Sequence, residues 1–231
     1  MAIQFPLTGV AIQFPLSGEV SLACKARAEA APDLQLLLYT QDVHNRSFLS
    51  RFHWWVAGSI VALAAVVLLS MNRVPICKCG YVKVWHGNVS SSENSQHVSD
   101  WYTFSHVIHG FAFYGLFWLL APRSAVSSRF LAALLLESGW EVLENTDLII
   151  NRYREATISL DYYGDSVLNS VSDILAMATG FQLARRAPVW ATIAATVAME
   201  SFVGYMIRDN LLLNIIMLVH PIEAIRAWQM H

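Results

Sequence analysis

The run WWVAGSIVALAAVVLLSM at residues 54–71 decides the fold class. It carries no charged side chain, approaches the ~20 residues needed to cross ~30 Å of hydrocarbon, and opens on a Trp pair suited to a membrane interface. A first spanning helix is predicted there. Beyond it lie four more apolar stretches at about 103–121, 130–150, 165–184 and 188–207, with Pro122-Arg123 and Arg185-Arg186 as stops. A last apolar run, 211–219, is too short to span unless 222–228 completes it, and otherwise reads as a re-entrant half-helix. The predicted fold is all-α: a polytopic membrane helix bundle of five full transmembrane helices plus a short sixth or re-entrant helix, with no sheet beyond a hairpin in 72–99.

Composition agrees. Hydrophobic residues make up 55% of the chain and charged ones only 14%, against roughly 25% in soluble domains. A net charge of −2 argues against a nucleic-acid partner, whose phosphates select a basic face. Residues 1–50 differ from the rest, being polar and Ala-rich, and open with a duplicated nine-residue unit, MAIQFPLTG then VAIQFPLSG. One tandem copy cannot build a solenoid. This segment is read as a poorly ordered N-terminal extension to a transmembrane domain at 51–231, and it lacks the features of a cleaved signal.

Three of the apolar segments carry ionisable groups, which cost ~2.5–3.5 kcal/mol or more near a bilayer centre and so face a bundle interior, a partner or a water-filled cavity. His106 and His109 sit one turn apart; Glu137, Glu141 and Glu144 form one helical stripe, and Asp165, Asn169 and Asp173 another. With alternating spans, the start of the second helix, the end of the third, the start of the fourth and the end of the fifth, with Glu200, share one membrane face. His106, His109, Glu141, Glu144 and Asp165 are the candidate catalytic residues; Asn169, Asp173, Arg152, Arg154 and Glu200 are candidates for substrate binding. His106, His109 and Glu141 could ligate a divalent metal, the one cofactor the residues suggest. Without metal, a desolvated glutamate beside histidine can exchange protons. The bland alternative is interhelical glue worth ~0.6–2 kcal/mol per polar contact, which suits Asn169 and its neighbouring serines. Nucleophile-elbow, P-loop, Rossmann and HExxH motifs are missing from the sequence. Cys77 and Cys79, one residue apart, read as two loop thiols, and the surrounding loop reads either as a lid or as a solvated linker.

The runs CKCGYVKVWHG, SSENSQHVSDWYTFSHVIHGF, WEVLENTDLIINRYREATISLDYYGDSVLNS and FVGYMIRDNLLLNIIMLVHPIEAI resemble an uncharacterised family of bacterial multi-pass inner-membrane proteins of unknown function, over about 73–228. More distantly, His-Gly, then Trp-Glu-x-x-Glu, then Gly-Asp-Ser-x-x-Asn-x-x-x-Asp over about 101–182 resembles VanZ-like membrane proteins. The chain departs from that pattern at His106 and in its long flanking loops. The resemblance implies membrane location and no established activity.

Two functional classes follow: a membrane protein that binds or processes a lipid or envelope precursor, and a proton- or ion-coupled carrier using the same acids. A non-catalytic scaffold is the third reading. Internal repeats would mark the carrier and are not found. Orientation rests on basic residues near span ends. With a spanning sixth helix, one side has Arg46, Arg51, Arg123, Arg129, Arg185, Arg186 and Arg226, seven; the other has Arg73, Lys78, Lys83, Arg152, Arg154 and Arg208, six. The cluster before the first helix places the N-terminus in the cytoplasm and the polar face in the periplasm.

Overall fold

The computed structural model describes residues 50–157 and 161–230; the duplication and the expected extension lie outside the described residues. Eight helices and no strand occur among those described: α1 (Arg51–Ser70), α2 (Thr103–Leu120), α3 (Val126–Glu144), α4 (Asp147–Ala156), α5 (Val167–Arg186), α6 (Val189–Ile207), α7 (Leu211–Val219) and α8 (Glu223–Met230).

The central helix is α5. It packs most extensively on α2, and also against α3, α1 and α6. Its pairing with α2 is so close that backbone meets backbone. A Cβ on Gly110 would collide with the Met177 carbonyl oxygen and stand 2.5 Å from Phe181 N, and one on Gly180 would collide with the Val107 carbonyl. Ile174, Met177 and Phe181 of α5 are fully buried and, with Phe130, Ala133 and Leu134 of α3, form the apolar core.

Three helices, α1, α2 and α6, are long and apolar enough to cross a membrane. Of the five full spans expected, these are the three with that length and composition. The other two differ in composition: α3 and α5 have 19 and 20 residues but bury Arg129, Glu137, Glu141, Asn169 and Asp173 among other helices. The expected third helix is also broken, since α3 ends at Glu144 and an extended Thr146 starts α4.

The short last apolar run is one arm of a helical hairpin. Asn210 caps the N-terminus of α7 by accepting from Leu213 N–H, and α8 returns so that Gln229 Nε2 donates to Asp209 at 3.1 Å and Arg208 donates to the Trp228 carbonyl. Entry and return lie together, so 222–228 does not complete a sixth span. Between α1 and α2, residues 71–101 run in turns. Val98 N–H donates to the Lys83 carbonyl and His86 N–H to the Ser99 carbonyl, two pairings without a strand. Cys77 and Cys79 are joined as a disulfide across a Cα separation of 5.1 Å, within the span a disulfide needs. The reading as separate thiols is thereby corrected.

Candidate functional site

A cavity of about 430 Å³ lies among α2, α3, α5 and α7. Its ionisable wall holds five expected residues, His106, His109, Glu144, Asp165 and Asp173, together with Asn169. Its apolar lining is Phe113, Leu136, Trp140, Ile215 and Leu218, with Phe113 stacked on the His109 ring and Trp140 edge-on to it.

Spacing of three on α2 points both imidazoles the same way, toward α3. There Glu137, with no exposed surface, receives both. His106 Nδ1 lies 2.6 Å from Glu137 Oε1, and His109 Nδ1 lies 3.2 and 3.1 Å from its two oxygens. A carboxylate only accepts, so with Glu137 ionised both Nδ1 atoms donate to it. His106 Nε2 is 3.8 Å from Asp173 Oδ2, and Asp173 accepts from the Thr103 hydroxyl at 3.1 Å. Glu141 stands behind the histidine, its Oε1 3.4 Å from His106 Nδ1 and without a hydrogen-bond partner.

Asp165 precedes α5. It accepts from Asn145 Nδ2 at 2.8 Å and from Tyr162 O–H at 3.0 Å, while its own N–H donates to Asn145 Oδ1. Burial pushes its carboxyl up to about 6, against the pull of those bonds. Glu144 accepts from Tyr153 O–H at 2.9 Å. Asn169 is mainly a clasp: its N–H donates to the Ser166 hydroxyl and its amide to the His97 carbonyl.

Three expected substrate-binding residues do not line the cavity. Glu200 accepts from Leu211 N–H and Leu212 N–H at 3.1 and 3.0 Å, and Arg152 donates to the Leu218 and Val219 carbonyls. Together they satisfy the two ends of α7, whose terminal backbone groups have no partner within the helix. Arg154 donates to the Tyr162 carbonyl. The candidate lists omitted four residues that position the site: Glu137, read from the sequence only as part of its stripe, and Asn145, Tyr153 and Tyr162.

Two groups of donors could hold a metal here, His106 with His109 and Glu137, and His106 with Glu141 and Glu144, each within 4.8 Å. Both include His106, and the expected set His106, His109 and Glu141 is divided between them. Cys77, Cys79, Glu93 and His97 also converge. There the Lys83 ammonium, 2.6 Å from Glu93, already supplies the positive charge. Bonds from Lys83, then His97 and Tyr81, hold the Glu93 carboxyl down at about 2. His97 Nδ1 accepts from Lys83 N–H, so this cluster serves as a loop clasp.

The family model described as "Protein of unknown function (DUF2585)" matches residues 68–231, which include every residue of the site. The chain belongs to this family. It is 57% identical over 176 residues to a UPF0314 protein of Paracoccus denitrificans, covering 76% of this chain and 91% of the relative. A UPF0314 protein of Rhizobium etli strain CIAT 652 is 58% identical over 188 residues, 81% and 94% of the two chains. One from Sphingopyxis alaskensis is 53% identical over 181 residues, 78% and 96%. No solved structure matches the chain.

Proposed function

We propose that this DUF2585 protein is an integral inner-membrane protein that binds and processes an amphiphile, a lipid or lipid-linked envelope precursor, with the polar head at His106 and the apolar part along Phe113, Trp140 and Ile215. The observation that carries this is the cavity's mixed lining, a cluster of ionisable groups beside large apolar side chains, which suits an amphiphile. Leu136 and Ile215 are 43% and 49% exposed as well as cavity-lining, which suits a ligand arriving from the hydrocarbon. In this reading α3 and α5 also cross the membrane, because their charges are buried among helices rather than presented to lipid.

The chemistry is acid–base. Glu137 orients both imidazoles, and His106 Nε2, with Asp173 beside it, takes or returns a proton at the bound head. A divalent cation on His106, His109 and Glu137 would take the place of the two Nδ1 protons and polarise a head oxygen instead. The carrier reading uses the same acids and gives the apolar lining no role, and so fits the cavity less well.

Orientation follows the N-terminal basic cluster, with the cavity toward the periplasm. The α7–α8 hairpin moves Arg226 to the side of Arg208 and turns the count to six against seven, so the weight falls on the first helix.

The test is native mass spectrometry of detergent-purified protein together with elemental analysis. Wild-type protein is expected to retain lipid, and Ile215→Trp, which fills the apolar wall, to lose at least tenfold of it. Absence of bound lipid from wild-type protein, or unchanged lipid in Ile215→Trp, would refute the proposal. Metal lost in His106→Ala would select the cation over direct proton transfer.

A further inference from the structure

A second, more polar cavity of about 330 Å³ adjoins the first. Asn94 and Tyr162 line both, so the two share a wall. Three of its lining side chains hold polar atoms that are buried and without a partner: Asn94 Oδ1, Arg226 Nε and Gln229 Oε1. Asn94 and Gln229 are only 8% and 6% exposed. Buried polar atoms are nearly always satisfied, so three around one cavity point to something that fills it.

Their chemistry selects the occupant. Gln229 is fixed by the bond from its Nε2 to Asp209 Oδ1, so its oxygen can only accept. Arg226 Nε–H can only donate. A phosphate or carboxylate would bring lone pairs against two amide oxygens and the Asp161 carboxylate, which lines the same cavity. An ammonium head would meet the Arg226 guanidinium. A neutral group whose every oxygen both donates and accepts satisfies all three atoms, and that is a polyhydroxyl. Ser90, Ser91 and Ser92 on the rim add hydroxyls of the same dual character.

We infer that the second cavity is a subsite for a neutral sugar head, so that the ligand is a glycosylated amphiphile with its sugar at Arg226, Gln229 and Asn94. This rests on the amphiphile reading of the larger cavity and names the head group it takes. The polar junction beneath the sugar then lies toward His106, with Asn94 and Tyr162 between the two parts of the ligand.

The experiment offers full-length protein in detergent two lipids of identical acyl chains, monoglucosyl diacylglycerol and diacylglycerol, and compares occupancies by native mass spectrometry. Two or three added hydrogen bonds favour the glucosylated lipid by about tenfold to a hundredfold. Arg226→Met, which keeps the stem and removes the donor, should lower that preference about tenfold and leave diacylglycerol binding as it was; Gln229→Met provides an independent variant. Equal occupancy of the two lipids, as waters filling the second cavity would give, overturns the sugar subsite alone. A preference undiminished in both variants also overturns it. Failure of both lipids to bind overturns the amphiphile reading and the subsite with it. Methyl β-glucoside, titrated by calorimetry without lipid, separates sources: saturable binding lost in Arg226→Met supports the same site with a soluble glycan as its ligand.

Discussion

Gly110→Ala tests the packing on which the cavity depends. The added Cβ would stand 2.5 Å from Phe181 N and 2.8 Å from Gly180 C, and ordinary contact begins near 3.4 Å. The obstacles are backbone, so α2 and α5 must part by roughly 1 Å, a gap that forfeits a quarter to a half of each dispersion contact across it. Overpacking of this kind costs about 1–3 kcal/mol. Gly→Ala in a helix also gains about 1 kcal/mol of propensity, and that gain must be removed to see the clash. Gly115→Ala on the same helix does so, because its Cβ meets nothing within 4 Å. The two variants should therefore differ by about 1–3 kcal/mol, or about 2–4 °C in melting temperature per kcal/mol for a chain of this size. The assay is thermal unfolding by tryptophan fluorescence in one detergent. The Thr103–Asp173 bond crosses the same pair of helices, so Gly110→Ala should also weaken lipid retention. Equal melting temperatures for Gly110→Ala and Gly115→Ala would refute the close approach of α2 and α5.

Burial pushes Asp209, which lies between α6 and α7, up to about 6 against the bonds it accepts, chiefly from Tyr102. A carboxyl raised on folding lends stability below its unfolded value near 4 and loses it as pH rises through 6. Wild-type stability should thus fall from pH 4 to 7 by on the order of 2–3 kcal/mol from this group, and denaturant titrations of Asp209→Asn should show a shallower slope. Glu200→Ala strips acceptors from two N–H groups at the start of α7 and should cost about 1–2 kcal/mol, with Glu200→Gln intermediate; unchanged stability would remove Glu200 as a cap. A reporter fused after Asn88 should behave as periplasmic and one after Arg186 as cytoplasmic. One after Met230 should side with Asn88, whereas a spanning sixth helix would place it with Arg186.

The first helix was legible because nothing in 54–71 competes with its apolar run. The break between α3 and α4 was not, since periodicity continues through it. What stops α3 is Asn145, whose amide is committed to Asp165 twenty residues away, a tertiary demand with no local signature. Polar spacing found the right faces and could not rank the carboxylates on them. Glu137, Glu141 and Glu144 share a stripe, yet only the fall of α2 across α3 selects Glu137 for both imidazoles. Glu200 and Arg152 looked like ligand-binding charges because the needs of α7's own backbone ends, which they meet, become visible only once that helix is seen to be nine residues long.

The segment between α1 and α2 is fastened to the start of α5. Val167 N–H and Leu168 N–H donate to the Val74 and Pro75 carbonyls, Ser166 N–H to the Ser95 carbonyl, and Gln96 to the Gly164 carbonyl. Lifting this segment would strip the acceptors from N–H groups at the start of the central helix that have no partner within the helix. Traffic would pass sideways, past Leu136 and Ile215. For such a protein the relevant ligand concentration is a mole fraction in the bilayer plane. Diluting the lipid within nanodiscs would empty the cavity, and diluting the buffer around them would leave it filled.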